Sequence, residues 1–152
     1  MIESIKCKGS YIVEAYSLDG KLISRKVYEN VVVQNFFTTL FNFLNVNNQD
    51  QAALYLNYFA VGTDTTQAAK TDTLLGAETF RKSITQKTFN NTRFTCQCEL
   101  APSEAVGVIR EFGLFANAAA TADSGTMISH VNVNISKNSS TKYIITYILE
   151  VL

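Results

Sequence analysis

The segment Val108-Ile109-Arg110-Glu111-Phe112-Gly113-Leu114-Phe115 limits what this chain can fold into more than any other. Branched and aromatic side chains alternate along it with no helix breaker before Gly113, the pattern of a strand. Yet Arg110 and Glu111 sit in the middle of this apolar run, one on each face. Stripping such a charge of water costs on the order of several kcal/mol unless a partner offsets it. The segment is therefore predicted to be a central strand whose charges are answered from upstream, with Glu78 and Arg81 as the candidates. Gly113 either admits a neighbouring ring or backbone at close range or marks a bulge.

The flanking chain reads as further strands. Ser10 to Leu18 and Lys21 to Val33 alternate on either side of Asp19-Gly20, a strong hairpin signal. A two-residue turn there pairs Glu14 with Arg25, Tyr16 with Ile23, Ile12 with Val27 and Tyr11 with Tyr28, joining opposite charges and apolar partners. Phe36, Phe37, Leu40, Phe41, Phe43 and Leu44 then recur at helical spacing, so one short amphipathic helix is expected near 35–45 with Asn35 as its N-cap. Its apolar face is expected to plug one end of a sheet, with packing on a neighbouring subunit as the second reading. Asn45 to Gln51 reads as a polar loop.

Leu54 to Val61 is the next strand, stopped by Gly62. Thr63 to Thr73 has no apolar period and reads as a long surface loop, of the kind that is usually functional or in contact with something. Glu78–Phe89 and Thr92–Leu100 follow as strands joined at Asn90-Asn91, with Cys96 and Cys98 on the inward face of the second. Asn117 to Gly125 is a small-residue loop, mobile or ordered by a partner. Met127 to Ser136 points Ser129, Val131, Val133 and Ile135 inward and His130, Asn132 and Asn134 outward. Tyr143 to Leu152 is apolar on both sides, as in a strand sandwiched centrally or covered by a partner. About eight strands and one helix predict a mainly β chain, an antiparallel β-sandwich forming a single domain over 1–152.

Composition narrows the function. With 13 basic and 13 acidic residues the formal net charge is zero, which argues against nucleic acid as a partner and favours association. No apolar run reaches the roughly 20 residues of a membrane-spanning helix. The start Met1-Ile2-Glu3-Ser4-Ile5 lacks the design of a signal peptide. Three cysteines suit a reducing compartment without disulfides.

No metal is expected: Cys96-x-Cys98 is not zinc-ligand spacing, and His130 lies on a polar strand face. No cofactor loop is expected either, since Gly62-Thr63-Asp64-Thr65-Thr66 lacks the later glycine and lysine of a phosphate cradle. Glu78 and Glu111 are the carboxylate pair that glycan cleavage would require, but Arg81 and Arg110 travel with them, which favours structural ion pairs. Asp64 and Asp72, in the long loop, lack the regular ligand ladder of a cation site.

Three stretches taken together carry a resemblance: Phe59-Ala60-Val61-Gly62-Thr63-Asp64-Thr65-Thr66, then Thr71-Asp72-Thr73-Leu74-Leu75-Gly76-Ala77-Glu78-Thr79-Phe80-Arg81-Lys82, then Ile109-Arg110-Glu111-Phe112-Gly113-Leu114-Phe115. In this order they resemble small structural proteins of tailed bacteriophages, usually labelled tail fibre, baseplate or minor virion proteins. The opening hairpin followed by a helix is similar too. The sequence departs from that pattern at Asp64, where glycine is frequent, and at Phe80 and Phe112, where smaller residues are common. The resemblance implies a non-enzymatic virion subunit assembled in the bacterial host cytoplasm, a trimer or higher ring that contacts other virion proteins. The alternative is a receptor-binding or head-decorating module. In it the loop residues Thr63, Asp64, Thr65, Thr66, Asp72, Ala119 and Asp123 would meet a host-surface glycan or the capsid.

Overall fold

The computed structural model describes residues 6–45 and 51–152, without the side chains of residues 43, 45, 51 and 52. Most of the polar loop expected over 45–51 and the opening residues 1–5 lie outside the described residues. The chain folds as nine antiparallel strands and one helix: β1 (Cys7–Ser17), β2 (Leu22–Val32), α1 (Gln34–Asn45), β3 (Leu56–Gly62), β4 (Glu78–Ser83), β5 (Gln86–Asn90), β6 (Arg93–Leu100), β7 (Gly107–Ala116), β8 (Thr126–Lys137) and β9 (Thr141–Val151). They hydrogen-bond in the order β4-β3-β7-β8-β2-β1-β9-β6-β5.

This sheet curls until its two halves face each other across one core. Tyr11 and Val13 of β1, Cys96 and Cys98 of β6, and Ile145 and Tyr147 of β9 come from one half. Phe59, Phe112, Leu114 and Val131 come from the other. One ring pair bridges the halves, Tyr11 and Phe112 at 5.8 Å, and it is flanked within each half by Tyr147, 5.0 Å from Tyr11, and Phe59, 5.0 Å from Phe112. Such tilted ring pairs add roughly 0.5–1.5 kcal/mol each beyond the area they bury. β9 pairs with both β1 and β6 and is central in its half; Ile145 and Tyr147 enter the core, while Ile144 and Ile148 on its other face are half-buried.

The halves join at a narrow seam. β2 pairs with β8 at two positions only, Val31 with His130 and Val32 with Ser129. Side chains reinforce it: Tyr11 Oη lies 2.9 Å from Ser129 Oγ, and Asn30 Nδ2 donates to the same oxygen at 2.6 Å. Gly9 makes room for this knot, since a Cβ there would sit 2.0 Å from Asn30 Oδ1.

Three expectations need correction. The stretch expected as one strand over Glu78–Phe89 is two, and they lie at opposite edges of the sheet. Ile84 N–H donates to Asn57 O and Thr85 N–H to Gln97 O, so two residues carry the chain from one half to the other. The turn of the first hairpin spans three residues, not two. Gly20 N–H donates to Ser17 O, and Gly20 alone has positive φ, at 85°. Tyr16 therefore pairs with Leu22 and a bulge follows, after which Glu14 meets Arg25, Ile12 meets Val27 and Tyr11 meets Tyr28 as expected. The helix begins at Gln34, so Asn35 lies inside it and is not its cap. Phe36 packs on the core as the end-plug reading requires, while Phe41 and Leu44 remain exposed.

Cys96 and Cys98 are buried, and desolvation pushes both thiols up to about 12. Ellman's reagent at pH 8 is expected to titrate Cys7 alone in the native protein, and all three thiols in denaturant. Rapid reaction of three thiols without denaturant would contradict this packing.

Candidate functional site

The outer face of β3, β7 and β8 carries a second, smaller apolar cluster of Val33, Ala60, Leu75, Phe115 and Met127. Residues 63–77 roof it, and Leu75 and Ala68 point down into cover. The long loop is therefore built onto the sheet. What holds it there is Glu111, whose side chain is 0% exposed on this outer face.

The Glu111 carboxylate accepts N–H groups from Asp64 at 3.3 Å, Gly76 at 3.1 Å and Ala77 at 2.9 Å, which gathers both ends of the loop onto one side chain. His130 Nε2 lies 3.0 Å from it, and His130 Nδ1 lies 2.7 Å from Asp72 Oδ2. The imidazole thus spans from the buried carboxylate on the sheet to the middle of the loop. Asp72 Oδ2 also accepts Ala69 N–H at 2.7 Å. Two residues further along β8, on the same face, Asn132 accepts Ala68 N–H at 2.7 Å and donates to Thr66 O at 2.8 Å.

Two glycines make room. A Cβ at Gly62 would fall 2.3 Å from Glu111 Oε1 and 2.6 Å from Ala77 O, and one at Gly76 would fall 1.9 Å from Asp64 Oδ2.

A second buried pair holds the neighbouring loop. Arg81 Nε donates to Glu78 Oε1 at 2.5 Å and Nη2 to Oε2 at 2.8 Å, a two-pronged bond with both side chains 3% exposed. Arg81 Nη1 donates to Ala119 O at 3.0 Å, to Ser124 O at 3.1 Å and to Ser124 Oγ at 2.8 Å. Asp123 N–H donates to Glu78 Oε2 at 3.2 Å. The guanidinium stacks 4.8 Å from the centre of the Phe115 ring, which ties this pair to the same outer cluster. Asn57 adds a reciprocal pair of bonds to the backbone of Ala118.

The expected quartet of Glu78, Arg81, Arg110 and Glu111 is thus not one network. Glu78 and Arg81 satisfy each other, Glu111 turns to His130 and loop amides, and Arg110 reaches Asn134. Glu14 and Arg25 do pair, at 3.5 Å. Thr63, Thr65 and Thr66 are exposed, while Asp64 folds back on Thr66, whose hydroxyl and amide hold its carboxyl below the usual value. Asp72 faces His130, apart from Asp64. Ala119 and Asp123 contribute main-chain groups.

Reading the sequence for motifs misses His130, Asn132 and Gly76 as parts of one assembly. The alternation that turns His130 and Asn132 outward beside a strand with an unexplained carboxylate was the signal available. Chemically, both buried acids are saturated with donors. An apolar pocket of about 220 Å³ is lined by Phe36, Leu56, Phe94, Ile128, Tyr147 and others, none of them from these networks. What the networks do is fix two loops against one sheet face. Compared with known proteins, the chain matches no family model, no curated sequence and no solved structure.

Glu111→Gln is expected to lower unfolding free energy by about 3–5 kcal/mol in urea titration, because it leaves buried donors facing an amide. Amide exchange at Asp64, Gly76 and Ala77 should accelerate selectively. A loss below about 1 kcal/mol would show that this carboxylate does not hold the loop. Arg81→Leu is expected to free the backbone of 117–125 to exchange while leaving 63–77 protected, as amide exchange would read.

Proposed function

We propose that the chain is a non-enzymatic structural subunit of a tailed-phage particle, placed in the tail, baseplate or collar. In this reading it assembles through contacts with its own copies and with neighbouring virion proteins. The observation that carries the self-assembling part is the placement of large apolar side chains where the fold leaves them uncovered. Leu22, Ile23 and Val27 line the outside of β2, Phe41 and Leu44 stand on α1, and Phe89 is 84% exposed on β5. Exposed apolar groups gathered on projecting elements mark interaction surfaces, and a net charge of zero opposes dispersion. The saturation of Glu78 and Glu111 with internal donors supports the absence of turnover. The virion part of the proposal rests on the resemblance of the three motif stretches.

A second reading draws on the two latched loops. Side by side and held from beneath by buried charges, they offer a fixed surface of Thr63, Thr65, Thr66, Ala119 and Asp123 to a host glycan or a capsid.

Light scattering over a concentration series, with negative-stain imaging, is expected to show trimers, rings or larger bodies. A monomer persisting at millimolar concentration would overturn the assembly reading. Mass spectrometry of purified phage particles that fails to find the chain would overturn the virion assignment, and a hit on a glycan array would move the balance to the second reading.

A further inference from the structure

A pocket and a projecting ring stand side by side at one end of the molecule. The pocket has a volume of about 220 Å³ and is open on one side. Leu56, Ile128 and Tyr147 are buried and form its floor, while Phe36, Leu54, Phe94 and Leu149 are half-buried around its rim. A cavity of about 150 Å³ walled by such side chains holds a benzene ring. This one therefore has room for an aromatic side chain.

The ring is Phe89. β5 is the last strand of the sheet, and Phe89 stands opposite Phe94 of β6, on the face that Phe94 turns toward the core. One strand further out than Phe94, Phe89 is 84% exposed and has no cover among the described residues. Lys87 lies two residues before it on the same face. Its Nζ donates to Leu56 O at 2.9 Å and sits 3.7 Å from the centre of the Tyr55 ring. β5 is thereby fastened beside the pocket, and the strand presents Phe89 just outside the rim.

Charge says what kind of partner suits this end. α1, the helical turn Gln51–Leu54 and Tyr55 hold no charged residue. The single charge on β5, Lys87, is taken up by Leu56 and Tyr55. Arg93 and Glu150, next to Phe94 and Leu149, bond to each other at 2.7 Å. Phe41, Leu44 and Tyr55 are exposed on the same elements as the rim. Aromatic groups without spare charge are the composition of a buried protein interface. Its partner must bring an aromatic knob for the pocket and a hole for Phe89. A second copy of this chain carries both.

We propose that two copies meet end to end, each placing Phe89 in the pocket of the other. Because knob and hole adjoin, one two-fold axis between them serves both contacts, and the interface is isologous and closes on itself. The inference rests on the self-assembling part of the proposed function and names one surface that carries it.

The test uses the intact chain. Phe89→Ser keeps the hole and removes the knob, whereas Leu54→Trp keeps the knob and fills the hole from its rim. Each alone is expected to weaken the pair about a hundredfold or more, read from the dilution series in light scattering. Mixed in equal amounts, the two recover one contact of the two. The mixture is therefore expected to associate about tenfold or more tighter than either variant alone. Wild type mixed from labelled and unlabelled chains is expected to show intermolecular NOEs from the Phe89 ring to the methyl groups of Leu54, Ile128 and Leu149. That measurement decides the matter if Leu54→Trp does not fold. An association that Phe89→Ser leaves unchanged, a mixture of folded variants no tighter than its parts, or the absence of these NOEs would each overturn the exchange while leaving self-assembly intact. A wild-type monomer at millimolar concentration would overturn both.

Discussion

A carboxylate with no access to water, in the middle of a strand, sets the terms for the half of the molecule around it. Four polar groups converge on Glu111 and offset the cost of burying its carboxyl group. Three are backbone amides from two ends of one loop, so satisfying the charge dictates the path of that loop. The fourth is an imidazole, which brings Asp72 with it and pins the loop's middle. Gly62 follows from the same requirement, since a side chain there would occupy the space of the Glu111 carboxylate, while Gly76 leaves room for Asp64 in the same loop.

With the loop fixed, β7 becomes buried on both faces. Phe112 and Leu114 enter the main core, whereas Phe115 and the Cα of Gly113 lie under Leu75 on the other side. The Glu78–Arg81 pair works by the same logic, its spare donors spent on Ala119 and Ser124. Two segments that composition alone would leave to solvent are thereby made part of the packed body. Truncating such a partner is costly because it strands a charge; replacing the whole network by apolar groups need not be.

Much of the fold was legible because a sheet writes its pattern in a short code. Alternation located seven of the nine strands to within a few residues and turned Cys96, Cys98, Val131 and Val133 inward. The hairpin register held wherever both strands were regular, as Glu14 and Arg25 show. Failures came where the cause is not local. Nothing at Ile84-Thr85 breaks a strand by propensity; the chain turns there because Asn57 and Gln97, on opposite halves, each take one of its amides. Glu111 was expected to seek arginine, the usual partner by charge. It found amides and a histidine because the loop folds over its face, and only tertiary placement reveals that. His130 was rightly turned outward, yet outward on this face means under the loop.

β1 keeps a neighbour from the far end of the described chain. Cys7 stands beside Val151 and Ser17 beside Thr141, so the earliest described strand is zipped along its whole length to the latest. Such a pairing closes a loop of more than a hundred residues, and folds dominated by distant partners form slowly. On the ribosome, the edge of β1 that β9 covers therefore stays unpaired until β9 has emerged. During that wait the inner faces of Tyr11 and Val13 stay wet and open to mispairing. Synthesis of this chain is thus a race between its own completion and premature association, and high local concentrations of nascent copies would tilt it.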